Sequence, residues 1–199
     1  MTDEQPIRAF IAVELPEAVK REIGALQKKL AVEPAGGIKW VAPGSVHLTL
    51  KFLGWVVPER IDEVKNTIAR AVEGIAPFEL GMAGVGAFPN LKRLNVVWCG
   101  LTGDLESLEQ VQKAVEEQVS PLGFPTEKRA FSPHLTLARL REDVSPEARS
   151  ALAEKLAAIK YEPGLAIPVA SVSLMQSRLL PDGAVYTRLG EFPLTRDTG

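Results

Sequence analysis

The chain of 199 residues contains two histidines, and each opens the same tetrapeptide: His47-Leu48-Thr49-Leu50 and His134-Leu135-Thr136-Leu137. The match extends outward, with Ser45 and Ser132 two residues before each histidine and Leu53 and Leu140 six after. The pattern Ser-x-His-Leu-Thr-Leu-x-x-Leu thus occurs twice, 87 residues apart, which reads as an internal repeat. A lone His-x-Thr on a strand is ordinary; placing the only two histidines at equivalent positions of a repeat points to chemistry. Along a strand successive side chains alternate faces, so His47, Thr49 and Lys51 should share one face and Leu48, Leu50 and Phe52 the other. His134 and Thr136 repeat the arrangement. Each motif then presents an imidazole that titrates near neutral pH and a hydroxyl about 6 to 7 Å away, a span suited to gripping a small anionic group. Two such strands side by side would form a cradle of four residues with an acid and a base in it.

The flanking sequence supplies elements to position that cradle. Ile7 to Leu15 reads as a strand ended by Pro16, and Val19, Ile23, Leu26 and Leu30 then recur at helical spacing. A Pro34-Ala35-Gly36-Gly37 turn precedes a strand at Ile38 to Val41. After the first motif come a helix marked by Ile61, Val64, Ile68 and Val72 and a strand near Phe78 to Val85, giving β-α-β-β-α-β. The second half offers a strand at Leu94 to Cys99, a helix marked by Leu105, Leu108, Val111, Val115, Val119 and Leu122, and the second motif strand from Arg129 to Leu140. Ser145-Pro146 starts a further helix carrying Leu152, Leu156 and Ile159. Strands at Ile167 to Leu174 and Val185 to Phe192 flank a Pro181-Asp182-Gly183 turn. The expectation is an α+β fold with duplicated, pseudo-two-fold β-α-β-β-α-β halves near 1–91 and 92–199, forming one bilobal domain over 1–199. Two antiparallel sheets with outer helices should meet at a central cleft.

Composition limits the alternatives. At 46% hydrophobic the chain has enough apolar residues for a real core, and disorder does not fit. No apolar run approaches the length of a bilayer span, and Met1-Thr2-Asp3-Glu4 is acidic where a signal peptide is basic. A cytoplasmic location without membrane association is expected. Cys99 is alone, so it reads as a small buried side chain rather than half of a disulfide or a nucleophile. A net charge of −2 argues against broad electrostatic binding of long nucleic acid. Local cations remain available in Lys39, Lys51, Lys92, Arg93, Lys128, Arg129, Arg139 and Arg178.

With its flanks, the motif pair resembles the two-histidine phosphoesterase superfamily, and within it the bacterial and archaeal RNA 2',3'-cyclic phosphodiesterases, historically called 2'-5' RNA ligases. The segments that carry the resemblance are Arg8-Ala9-Phe10-Ile11-Ala12, Lys39-Trp40-Val41, His47 through Gly54, Gly86-Ala87-Phe88-Pro89, Phe131 through Arg139, and Ser177 with Pro181, Gly183 and Tyr186. They span nearly the whole chain.

The resemblance implies hydrolysis of a 2',3'-cyclic phosphate on RNA ends or nucleotides to a 2'-phosphate. His47 would be the proton donor to the 3' oxygen, His134 the proton acceptor from water, and Thr49 and Thr136 the donors to the phosphoryl oxygens. Arg139, five residues after His134, would steady phosphate or base, with Phe10 and Arg8 as further substrate contacts; Trp40 and Tyr186 have the same standing. Two histidines and a remote cysteine do not make the three-ligand set of a catalytic zinc, so neither metal nor cofactor is expected, and the protein should act as a monomer. Joining of RNA ends through a 2'-5' bond, opening of another cyclic nucleotide such as ADP-ribose cyclic phosphate, and RNA-end binding without turnover remain as alternatives.

Overall fold

The structure of the protein, a computed structural model, describes residues 5–33, 36–180 and 183–196. The Pro34-Ala35 and Pro181-Asp182 parts of the two expected turns, and the acidic residues at the start, lie outside them. Among the described residues nine strands and four α-helices follow in the order β1 (Ile7–Val13), α1 (Glu17–Leu30), β2 (Ile38–Trp40), β3 (Leu48–Val56), α2 (Ile61–Val72), β4 (Phe78–Phe88), β5 (Val96–Gly103), α3 (Leu105–Val119), β6 (His134–Leu140), α4 (Pro146–Ala158), β7 (Ala166–Val169), β8 (Ser171–Leu180) and β9 (Gly183–Pro193).

The helices form where apolar residues recur on one stripe: Val19, Ile23, Leu26 and Leu30 of α1 are all buried, as are Leu108, Val111, Val115 and Val119 of α3. α4 begins as its sequence signals. The Ser145 hydroxyl accepts the Ala148 backbone N–H at 3.2 Å, and Pro146 occupies the first turn. The helical stripes cover one face of the sheet, and a single cluster of buried apolar side chains runs from Ile11 through Leu48 and Leu135 to Ile167. A separate small cluster of Phe10, Ala12 and Met175, joined by Tyr186, lies on the other face.

The α+β class is as expected, but the two expected sheets are wings of one nine-stranded antiparallel sheet. Its order is β7-β4-β5-β6-β3-β1-β8-β9, with β2 added on β6. The wings join where Leu48 of β3 lies opposite Leu135 of β6. Beyond that pair β6 has a different partner, because Trp40, Lys39 and Ile38 of β2 occupy the positions opposite Ala138, Arg139 and Leu140. β3 and β6 therefore diverge just past the motifs and leave a cleft between the wings.

The topology is also interleaved. β3 pairs with β1 and β6 with β5, each within its own sequence half, whereas β4 pairs with β5 and β8 with β1 across the halves. Each wing thus takes strands from both halves. The expected single strand at Ile167 to Leu174 is broken at Ala170 for this reason: β7 pairs with β4 in one wing and β8 with β1 in the other. Residues 129–133 are irregular and β6 starts only at His134; Pro133 has no N–H to give to a ladder.

Candidate active site

The two histidines are held identically. His47 precedes β3 and His134 opens β6; the Nδ1 atoms lie 2.9 Å from the Ser45 carbonyl oxygen and 2.7 Å from the Ser132 carbonyl oxygen. A carbonyl can only accept, so in both rings Nδ1–H donates and the proton-exchanging position is Nε2. The serines of the repeat matter through their backbone. From the Leu48–Leu135 pair, one antiparallel step in either direction sets Thr49 beside His134 and His47 beside Thr136. All four side chains are half-buried on the face turned away from the helices.

A β-bulge follows each motif at the same position. Ala12 and Ile11 of β1 lie opposite Thr49 and Lys51, so Leu50 is the inserted residue; Trp98 and Val97 of β5 lie opposite Thr136 and Ala138, so Leu137 is. An inserted residue reverses the alternation beyond it. Lys51, expected on the histidine face, is 5% exposed on the helix side, where its ammonium meets Glu116 of α3 at 2.7 Å and the Pro125 carbonyl at 2.9 Å. Phe52, expected among the apolar core side chains, is turned out to the cleft face. The second bulge brings Arg139 onto the face of Thr136 although it stands an odd number of residues after it, and the Arg139 charge is felt at Tyr186 across the cleft.

Aromatic rings wall both imidazoles. Phe10 stacks on His47 with ring centroids 4.5 Å apart, and Tyr186 meets His47 edge-on at 4.9 Å and Phe10 at 5.2 Å. Phe88 meets His134 edge-on at 4.9 Å. At 2% exposure Phe10 has no open face for a base, so it orients His47 instead of stacking on substrate. Arg8 is exposed on the same face of β1, Trp40 is half-buried against the core, and Trp98, opposite Thr136, lies over Gly86, where a Cβ would collide with the indole.

Burial pushes the His47 imidazole below its ordinary value, against the pull of the Ser45 carbonyl and the Glu14 charge. Burial also keeps the Tyr186 phenol above its ordinary value despite Arg139 and Arg8, so it remains a hydrogen-bond donor. Beside His47 a cavity of about 240 Å³ is lined by Glu14, Lys20, Ser45, Met175 and Tyr186. Glu14 accepts from Arg188 Nε at 2.7 Å and from the Ser173 hydroxyl at 2.6 Å. Phe88, Glu14 and Lys20 carry no signal in the motif spacing, and only the folded chain brings them to the histidines. Among the described residues no group of three or more His, Cys, Asp or Glu side chains is placed to hold a metal ion. No helix among them is long and apolar enough to cross a membrane.

Residues 15–179 match the model of the 2'-5' RNA ligase superfamily. A Methanothermobacter thermautotrophicus protein named RNA 2',3'-cyclic phosphodiesterase is 33% identical over 188 residues, covering 94% of this chain and 99% of its own. A Thermus thermophilus protein of the same name is 34% identical, covering 97% and 93%. Among solved structures, that of a Thermus thermophilus protein superposes with a TM-score of 0.76 at 32% identity, over 96% of this chain and 100% of that one. Escherichia coli LigT complexed with 3'-AMP gives 0.76 at 27% identity, with coverage of 96% and 100%.

Proposed function

The chain belongs to the 2'-5' RNA ligase superfamily, and from that membership we propose that it is a phosphodiesterase that opens the 2',3'-cyclic phosphate at RNA ends to a 2'-phosphomonoester. The observation that carries the mechanism is the paired pinning of His47 and His134 by the Ser45 and Ser132 carbonyls, which leaves two Nε2 atoms, each with a threonine, at one cleft. His134 Nε2 takes a proton from water as the water oxygen bonds to phosphorus. The bond from phosphorus to the ribose 3' oxygen breaks, and that oxygen takes the proton of His47 Nε2. Thr49 and Thr136 donate to the non-bridging oxygens, where charge accumulates. Arg139, on the same face, supports the substrate phosphate or base.

Burial favours the neutral form of His47. An anionic phosphate in the cleft supplies the opposite charge that favours its protonated form, so the acid is set by the substrate. The chemistry needs no metal or cofactor. The same reading takes residues 1–199 as one bilobal domain built on a repeat with halves near 1–91 and 92–199; the correspondence of β1 with β5, β3 with β6 and β4 with β8 supports it. It has the enzyme act as a monomer in the cytoplasm. The test is an RNA oligomer ending in a 2',3'-cyclic phosphate, with the product read by phosphorus NMR. A 2'-phosphate is expected, and a 3'-phosphate or an unchanged cyclic end overturns the reading.

A further inference from the structure

The cleft face of β3 carries two aromatic side chains that the reaction leaves unused. Trp55 is 72% exposed and Phe52 60%. Large aromatic rings usually bury most of their surface, so two open ones on a face continuous with the catalytic threonine need an occupant. Phe52 is there through the bulge at Leu50, and Trp55 joins it through a further bulge: Phe10 lies opposite Phe52 and Ala9 opposite Gly54, with Leu53 inserted between. Gly54 takes a φ of +74°, which a residue with a Cβ adopts only with strain. The two aromatics, three residues apart, therefore face the same way.

The row to which Trp55 belongs says what would lie there. Trp55 is opposite Arg8, Arg8 opposite Ser177, and Ser177 opposite Tyr186. Three strand-to-strand steps, about 14 Å, carry the face from an open indole through a cation to the tyrosine that touches His47. Phe52 stands one row nearer the histidines, with its ring 6.2 Å from that of Phe10. Two open aromatics beside a guanidinium make a surface on which single-stranded nucleic acid can stack its bases and rest a phosphate.

We propose that Trp55 and Phe52 form a stacking platform for the bases immediately 5' of the cyclic-phosphate terminus, with Arg8 on the intervening phosphate, so that the enzyme prefers oligonucleotide ends to mononucleotides. The inference rests on the reading that the cleft takes RNA ends. Its test compares a 2',3'-cyclic mononucleotide with a tetramer ending in a 2',3'-cyclic phosphate, for wild type, Trp55→Ala and Trp55→Phe. It is paired with a binding titration of the tetramer ending in a 2'-phosphate. Loss of one stacking side chain should raise the tetramer KM and the product Kd of Trp55→Ala by about tenfold. Turnover of the mononucleotide should stay within about twofold of wild type, and Trp55→Phe should recover most of the loss because any flat ring can stack. Equal loss on both substrates, or tetramer constants unchanged in Trp55→Ala, overturns the platform. The binding arm separates it from the activity: if wild type turns over neither substrate, the phosphodiesterase reading fails, and a tenfold Kd difference still upholds the platform while its absence removes it.

Discussion

Leu48 lies opposite Leu135 where the two wings of the sheet meet, and this pair holds the two catalytic motifs in register. Both side chains are buried in the main core. Because the flanking residues on each strand are a histidine and a threonine, the packing of two leucines on the helix side determines the spacing of four polar groups on the other. Leu135→Ala should cost about 2–5 kcal/mol of stability, the range for a truncated buried leucine, and should lower kcat in the fraction that remains folded. Urea unfolding with parallel assay checks it; a stable variant with full activity would show that the seam does not depend on this side chain.

The threonines act through their hydroxyls. Thr49→Val and Thr136→Val keep the β-branch and the strand fit but remove a donor to a charged oxygen, so each should cost about 1.5–3 kcal/mol of transition-state stabilisation. Thr→Ser at either position should cost much less. Equal losses in the Val and Ser variants would mean that the methyl group's packing matters instead.

Lys51 belongs to the core and not to the cleft. Its side chain pairs with Glu116 at 2.7 Å, and Lys51→Ala leaves that half-buried carboxylate without its cation, which should cost about 1–3 kcal/mol of stability. The Glu116 carboxyl is pushed up by its own burial, but the Lys51 and Ser120 hydrogen bonds outweigh this and hold it below its ordinary value. A depressed native value means the contribution is present above the unfolded pKa and is lost as pH falls through the native one, so the gap between wild type and Lys51→Ala should narrow in acid. Denaturant midpoints measured from neutral pH into acid test this, with KM expected to be unchanged. A higher KM in Lys51→Ala with unaltered stability would return Lys51 to the substrate side.

Much of this site can be read from the chain by eye, and the rest cannot for a definite reason. The repeat named His47, Thr49, His134 and Thr136, and helical spacing located all four helices. Alternation along a strand cannot reveal an inserted residue, however, so it misses the bulges at Leu50 and Leu137 and exchanges the faces of Lys51 and Phe52. Composition offers Arg139 only as one local cation among eight, and the resemblance singles it out; its odd spacing from Thr136 would place it on the wrong side. The crossing of the chain at Ala170 and the burial of Phe10 under His47 depend on strand partners distant in sequence, which local patterns do not encode.

The lowered His47 value gives the pH dependence a direction. As the acid His47 must be protonated, so in the free enzyme its working fraction falls as pH rises through a value below the ordinary one. The limb of kcat/KM set by His47 should therefore lie at lower pH than the matching limb of kcat, where bound phosphate stabilises the imidazolium. Glu14→Gln removes a charge that raises His47 and should move the kcat/KM limb further down. Coincident limbs, or a shift upward in Glu14→Gln, would contradict the assignment of His47 as the acid.

The most direct measurement is turnover of a 2',3'-cyclic-phosphate RNA end, in the presence of EDTA, by wild type, His47→Ala and His134→Ala. The account predicts full wild-type activity in chelator and a fall in kcat of roughly 10²- to 10⁴-fold in each variant, the size of a general acid or base contribution, with folding intact. Near-wild-type turnover in either variant, or activity that needs an added divalent ion, would contradict it.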